Sequence, residues 1–226
     1  MGSDTQTRQL VVTPVPHIHA HINTRKVMGN VILALLPALI AAGFLFGLRS
    51  LLVTAVTVAA CVACEAFWCW IRKQEQTIGD LSAVVTGLLL AFNLPSTVPL
   101  YLPVIGAIVA IIVTKELFGG IGCNFANPAI VGRITLAVSF PALMTQYAYP
   151  TPLVACDAIS SATPLAVSGS QIPVLDLFLG THGGVLGETC CVALLIGLIW
   201  LLVTRTIEIT IPLVYVATVA VMSLIF

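Results

Sequence analysis

Hydrophobic residues run through this chain in long blocks, broken by short polar or Pro/Gly punctuation. Five blocks are long enough to cross a hydrocarbon layer of about 30 Å, which takes roughly 20 helical residues: Val27–Leu48, Leu51–Ile71, Pro99–Phe118, Val185–Thr204 and Ile207–Phe226. Two more are short. Leu81–Asn93 stops before Leu94-Pro95, and Pro128–Phe140 stops before Pro141. At about 1.5 Å per residue each rises only ~20 Å, so they are read as half-helices or tilted, broken spans. Lipid tolerates broken backbone only where protein or a cavity covers it, and interrupted spans point to a site near the midplane. The pattern predicts an all-α polytopic membrane protein with about five full spans plus two short or broken helices. It divides into an N-terminal segment (1–26), a first membrane part with the broken helices (27–140), a long loop (141–184) and further transmembrane helices (185–226).

Basic residues orient the spans. With the N-terminus in the cytoplasm, Arg8, Arg25, Lys26, Arg72, Lys73 and Arg205 lie inside and only Arg49 lies clearly outside. The loop 141–184 then faces outward, and it holds no Lys or Arg. This orientation is the same whether both short segments cross or both re-enter. A structureless loop of that length is uncommon unless it is functional.

Composition agrees with the blocks. Of 226 residues, 59% are hydrophobic and 8% charged, against about 25% charged in a soluble domain; the mean hydropathy is +1.10. Lipid is therefore the expected solvent, and zero net charge argues against a nucleic-acid partner. Seven cysteines, mostly in apolar runs, make no disulfide framework. Cys61, Cys64 and Cys69 read as small packing residues. A metal site is not assigned, although a cluster shared with a partner at Cys123 stays open. The N-terminus is not a signal peptide, because charges and histidines fill it before the first apolar run.

The loop contains a polar patch, Asp157-Ala158-Ile159-Ser160-Ser161-Ala162-Thr163-Pro164-Leu165. Three hydroxyls and a carboxylate at this spacing serve no membrane span; an ordinary Ser/Thr turn is the plain alternative. Lys115-Glu116 sits near the inner end of a span. It reads either as an interface anchor, with Lys115 snorkelling to water, or as an intramembrane functional charge. Asn124 and Asn127 precede a short segment, as helix caps or as the lining of an ion or flavin cavity. Arg133 within that segment needs a partner: Glu65, Glu116, a phosphate or a carbonyl. Glu65 is a packed, hydrogen-bonded group or part of a proton path. His17, His19 and His21 alternate ahead of the first span, as a surface or subunit contact or as metal ligands.

Several blocks together resemble the D-type subunits of the Rnf complexes, the ion-translocating ferredoxin:NAD oxidoreductases. A close relative of that family is the B-type subunit of the sodium-pumping NADH:quinone reductase. The blocks are Pro16-His17-Ile18, the run Asp80–Ala91, the run Lys115–Ala129, Ser139-Phe140-Pro141, the Thr163 patch and Gly187-Glu188-Thr189. The similarity runs from about residue 16 to the end. Two departures stand out. Family members continue with several more spans, so the chain is expected to be truncated relative to them. Ser161 also stands where many relatives have glycine.

The resemblance implies a fold like one repeat and more of a urea-transporter-like inverted-repeat fold. It implies FMN esterified through its phosphate to Thr163, with Asp157, Ser160, Ser161, Ala162, Pro164 and Leu165 forming the attachment site, and a further non-covalent riboflavin. Lys115, Glu116, Asn124, Asn127 and Arg133 are the candidate lining of an ion or flavin cavity. The implied partners are the lipid bilayer, other subunits of the same complex (C, G, A, E and B type) and a flavin transferase. The implied location is a bacterial or archaeal cytoplasmic (inner) membrane. The chain would be a translocase subunit without activity alone, since it has no Gly-rich dinucleotide fingerprint and no four-cysteine ferredoxin pattern. The competing readings are a B-type part of the quinone reductase and a urea-transporter-like channel without redox activity. The short N-terminal segment favours the ferredoxin-linked complex.

Overall fold

The computed structural model describes residues 23–73, 76–148, 160–161 and 173–225. The histidine triplet and Asp157, Ala162, Thr163, Pro164 and Leu165 lie outside these residues. The described chain is helical apart from one two-residue strand pair, and it forms a polytopic all-α membrane protein.

Helices α1 (Thr24–Phe46) and α2 (Leu48–Arg72) form a hairpin. Their single linking residue, Gly47, has φ 72°, which side chains rarely adopt. After a 3₁₀ turn, α3 (Ser82–Phe92) begins where the Asp80 carboxylate accepts from Ser82 N at 2.9 Å. Helix α4 (Tyr101–Ile108) continues through a π-helical stretch, Val109–Lys115, and a 3₁₀ turn, Glu116–Phe118. Helix α5 (Pro128–Ser139) and the single turn α6 (Pro141–Met144) come next. The strands β1 (Tyr147–Ala148) and β2 (Ser160–Ser161) pair antiparallel. Helices α7 (Val174–Leu179), α8 (Cys191–Val203) and α9 (Thr210–Ile225) complete the order.

Three helical stretches are long and apolar enough to cross a membrane: Thr24–Phe46, Leu48–Arg72 and Tyr101–Phe118. The last two expected spans come out shorter, at 13 and 16 residues. For α8 the reason is visible. Residues before it leave helical geometry so that Leu186 N and Gly187 N can donate to the carbonyls of Leu94 and Phe92. These carbonyls belong to the broken end of α3, where a buried chain has no water to satisfy them. The loop expected between 141 and 184 also contains the short helical turns α6 and α7.

Both short segments traverse the bundle. The start of α3 lies beside Lys115 and Glu65, since Lys115 Nζ donates to Ser82 Oγ. The turn after α3 lies beside Arg49, whose guanidinium donates to the carbonyls of Ser96, Thr97 and Val98 at 3.0–3.3 Å. Glu65 and Arg49 are separated by roughly 24 Å of helix rise on α2, so α3 and its turn cover most of that height. Helix α5 ends at the Arg49 level, because the Thr97 hydroxyl donates to Gln146 O at 2.6 Å. At the other end, Asn30 near the start of α1 donates to Thr206 beyond α8.

The core lies where α3 crosses α2, α4 and α5. A Cβ added to Gly87 would lie 2.8 Å from Val58 Cα, so glycine lets α2 and α3 touch through their backbones. Leu90, Leu94, Leu102, Ile111 and Leu136 are fully buried around this crossing. Helix α9, by contrast, has no buried residue.

Candidate functional site

An ionic cluster sits inside this bundle. Lys115 Nζ is 2.6 Å from Glu65 Oε2, 2.7 Å from Ser82 Oγ and 3.5 Å from Glu116 Oε1. The other Glu65 oxygen accepts from Thr77 Oγ1 at 2.6 Å. Glu65 is 0% exposed and Lys115 2%. A buried charge needs both a counter-charge and hydrogen bonds to offset lost hydration, and here four elements supply them: α2, the 3₁₀ turn region, α3 and the end of α4.

The π-helical stretch explains how Lys115 reaches inward. One extra residue in a turn rotates the rest of the helix by about 100° relative to a regular α-helix, and such bulges concentrate at functional sites. Lys115 therefore does not snorkel. It is sealed against Glu65, and its neighbour Glu116 borders a cleft of about 250 Å³ lined also by Trp68, Arg72, Asp80 and Gly120. The cleft opens at the end of the bundle that carries Arg72. Its charged groups, with Glu65 behind them, are three carboxylates against two cations.

The candidate cavity residues are not all brought together. Lys115 and Glu116 share the ionic cluster. Asn127 caps α5, its Oδ1 accepting from Ala129 N at 3.0 Å, with Pro128 at the first helical position. Asn124 Oδ1 is buried without a hydrogen-bond partner among the described residues. Arg133 Nη1 donates to Asn93 Oδ1 at 2.8 Å, and Asn93 Nδ2 donates to Leu89 O. Of the partners expected for Arg133, neither glutamate is the one found; its partner is a carbonyl oxygen, that of the Asn93 side-chain amide.

Ser160 and Ser161 pair with Ala148 and Tyr147. Through Gln146 and Thr97 this strand pair belongs to the Arg49 end of the bundle, opposite the ionic cluster. Cys61 and Cys69 are buried free thiols and Cys64 is half-buried. Among the described residues no His/Cys/Asp/Glu group could hold a metal.

Ser82, Thr77 and Asn93 are not among the residues to which the sequence points. Ser82 carries a signal, since it opens an apolar run directly after Asp80. Thr77 and Asn93 carry none, because a lone polar residue in a turn has many ordinary uses.

The profile of the family described as NQR2, RnfD, RnfE matches residues 11–226. The chain is 45% identical over 222 residues to the D subunit of the Na(+)-translocating ferredoxin:NAD(+) oxidoreductase complex of Acetobacterium woodii, covering 95% of this chain and 69% of that protein. It is 35% identical to the D subunit of the proton-translocating ferredoxin:NAD(+) oxidoreductase complex of Clostridium ljungdahlii, covering 94% and 68%. To the D subunit of the ion-translocating oxidoreductase complex of Erwinia tasmaniensis it is 31% identical, covering 91% and 69%.

Proposed function

The chain belongs to the NQR2, RnfD, RnfE family, and from that membership we propose that it is the membrane-embedded D-type subunit of an ion-translocating ferredoxin:NAD oxidoreductase complex. In this reading it carries FMN esterified to Thr163 and relays electrons between partner subunits, coupled to movement of sodium or protons. The observation that carries the reading is the likeness to a D subunit across 95% of the chain, within a family match that includes the Thr163 patch. The Acetobacterium and Clostridium relatives differ in the cation their names give, so the coupling ion is left as either.

The chemistry of the patch suits the group. A phosphoester needs an aliphatic hydroxyl accessible to a transferase, and Thr163 comes after two serines in a stretch without basic side chains. The described part of that stretch, Ser160–Ser161, lies in a strand pair at one end of the bundle rather than inside a helix. When bound, the flavin supplies the one- and two-electron chemistry that no side chain of this protein offers. The chain's own part is to hold that group, and its Ser160–Ser161 strand stands at the Arg49 end. With the N-terminus cytoplasmic, this end faces outward and the ionic cluster faces the cytoplasm.

The cluster is the part of the chain suited to a cation. Glu65 and Glu116 share one ammonium, and the cleft beside Glu116 is lined by Asp80 and Glu116 against Arg72 and Lys115. A small cation or proton entering there meets the Asp80 and Glu116 carboxylates, with Glu65 behind them.

The test is flavin fluorescence in denaturing electrophoresis, with the protein produced in cells that contain the transferase. A fluorescent band in the wild type that is lost in Thr163→Ala supports the reading. A non-fluorescent wild-type band, with an unmodified mass for the Thr163 peptide, overturns it in favour of a channel-like subunit.

A further inference from the structure

An apolar groove of about 700 Å³ runs along the outside of the bundle between α1 and α2. Leu39 of α1, Leu51, Ala55, Ala59 and Ala63 of α2 and Leu88 of α3 line it. The three alanines are exposed, and Leu88 is its buried floor. Thr54, the polar side chain of the lining, donates to Ser50 O at 2.9 Å, which leaves hydrocarbon as the contact surface. The groove is shut at the hairpin end, where a Cβ on Gly43 would lie 3.4 Å from Leu51 Cδ2. Its other end, toward Ala66, points to the end of the bundle that carries Arg72. Size decides what fits. From Leu51 to Ala66 α2 rises roughly 22 Å, which gives the groove a mean cross-section of roughly 30 Å². A helix about 10–12 Å across needs roughly 80–110 Å². An extended hydrocarbon chain is a narrow column of methylenes, and the groove is longer than the ~15 Å that one leaflet of a hydrocarbon core provides.

Charge at the open end decides which lipid. Arg25 stands about four helical turns before Leu39 on α1, and Lys73 directly follows α2, about two turns past Ala66. Both therefore fall on the groove side of their helices, and Lys26 is next to Arg25. All three are exposed, and neither ion pair of the described residues includes them. Arg72 is turned away, 5.9 Å over the Trp68 ring and beside the cleft. The acids that follow in sequence are Glu75, which lies outside the described residues, and Asp80, whose carboxylate accepts from the start of α3. Basic pockets between membrane helices at a membrane surface hold anionic headgroups.

We propose that this groove seats one acyl chain of an anionic phospholipid whose phosphate is held by Arg25 and Lys73. Among the described residues, the side-chain hydrogen bond between α1 and α2 runs from Ser50 Oγ to Ala42 O, at the hairpin end. The lipid bridges the same two helices at the opposite end, one cation from each converging on a single headgroup. With the N-terminus cytoplasmic, it belongs to the inner leaflet.

The experiment is photo-crosslinking in membranes that contain the chain with its partner subunits. The probe is phosphatidylglycerol with a diazirine in one acyl chain, and labelled peptides are read by mass spectrometry. Label is expected on residues 51–66 of α2. Unlabelled phosphatidylglycerol should displace it, and phosphatidylcholine with the same chains should do so about fivefold less well or worse. Arg25→Gln and Lys73→Gln should each lower labelling about fivefold at limiting lipid, the effect of one basic residue near an anionic headgroup. Arg205→Gln, which removes a cation after α8 and outside the groove, should leave it unchanged. Ala59→Phe, which fills the groove, should abolish it. Equal displacement by the two lipids, or an equal loss in Arg205→Gln, overturns the anionic headgroup. Label that survives Ala59→Phe, or no label on 51–66, overturns the proposal as a whole. Label that appears only when the chain is purified away from its partners overturns it too, and gives the groove to a partner subunit's helix.

Discussion

Lys115, beyond α4, and Glu65 on α2, 50 residues apart in sequence, meet at 2.6 Å in the sealed interior of the bundle. Each offsets the cost of burying the other, and Ser82 and Thr77 complete their hydrogen bonds. The pair holds together three crossing helices as well as forming the inner wall of the cleft.

Breaking this pair from one side should therefore be worse than removing both charges. Glu65→Gln or Lys115→Met alone is expected to cost about 3–5 kcal/mol, since each strands a charge in a low-dielectric site. The double variant should recover most of that. Thermal unfolding of the purified protein in detergent checks it; a double variant as unstable as the sum of the singles would refute the coupling.

Gly87 should not tolerate a side chain. Its added Cβ would stand 2.8 Å from the Val58 backbone, so Gly87→Ala must push α2 and α3 apart, at about 1–3 kcal/mol. Gly29, with nothing within 4 Å of its Cβ position, is the control. Gly29→Ala should be neutral or stabilising by up to about 1 kcal/mol through helix propensity. Melting temperatures of the two variants, compared side by side, decide.

Asn127 acts as a cap. Asn127→Ala should destabilise by about 0.5–2 kcal/mol, and Asn127→Asp should retain most of the wild-type stability by presenting an oxygen to Ala129 N. An equal loss in both variants, seen in the same unfolding assay, would point away from capping.

The side of each end can be read with alkaline phosphatase fusions, which are active only outside the cytoplasm. Fusions within 141–184 are expected to be active, and fusions within the 119–127 turn, next to the ionic cluster, inactive. The opposite pattern would invert the proposed orientation and move the Thr163 patch to the cytoplasmic side.

Much of the architecture was legible from periodicity and length, because lipid as solvent demands long apolar helices and marks every interruption. The Pro95 and Pro141 breaks and the excess of basic residues at one end come from local chemistry, whereas the break between the first two helices falls at Gly47 rather than at Arg49-Ser50. The lengths of α8 and its preceding turn were not legible. The stretch is apolar apart from Glu188 and Thr189, and the open carbonyls of Phe92 and Leu94, far earlier in the chain, draw Leu186 and Gly187 out of the helix.

Sequence alone determined the solvent, the order of the helices and the family likeness, since each rests on residue types and their spacing along one dimension. Tertiary structure alone decided which charges meet. Lys115 has a carboxylate beside it in the chain, yet its closest partner is Glu65, because a π-helical turn aims the ammonium into the bundle where α2 brings that carboxylate. Arg133 likewise finds Asn93 rather than an acid. Partner choice in a low-dielectric interior depends on distances of a few ångströms between segments, and no linear pattern encodes those.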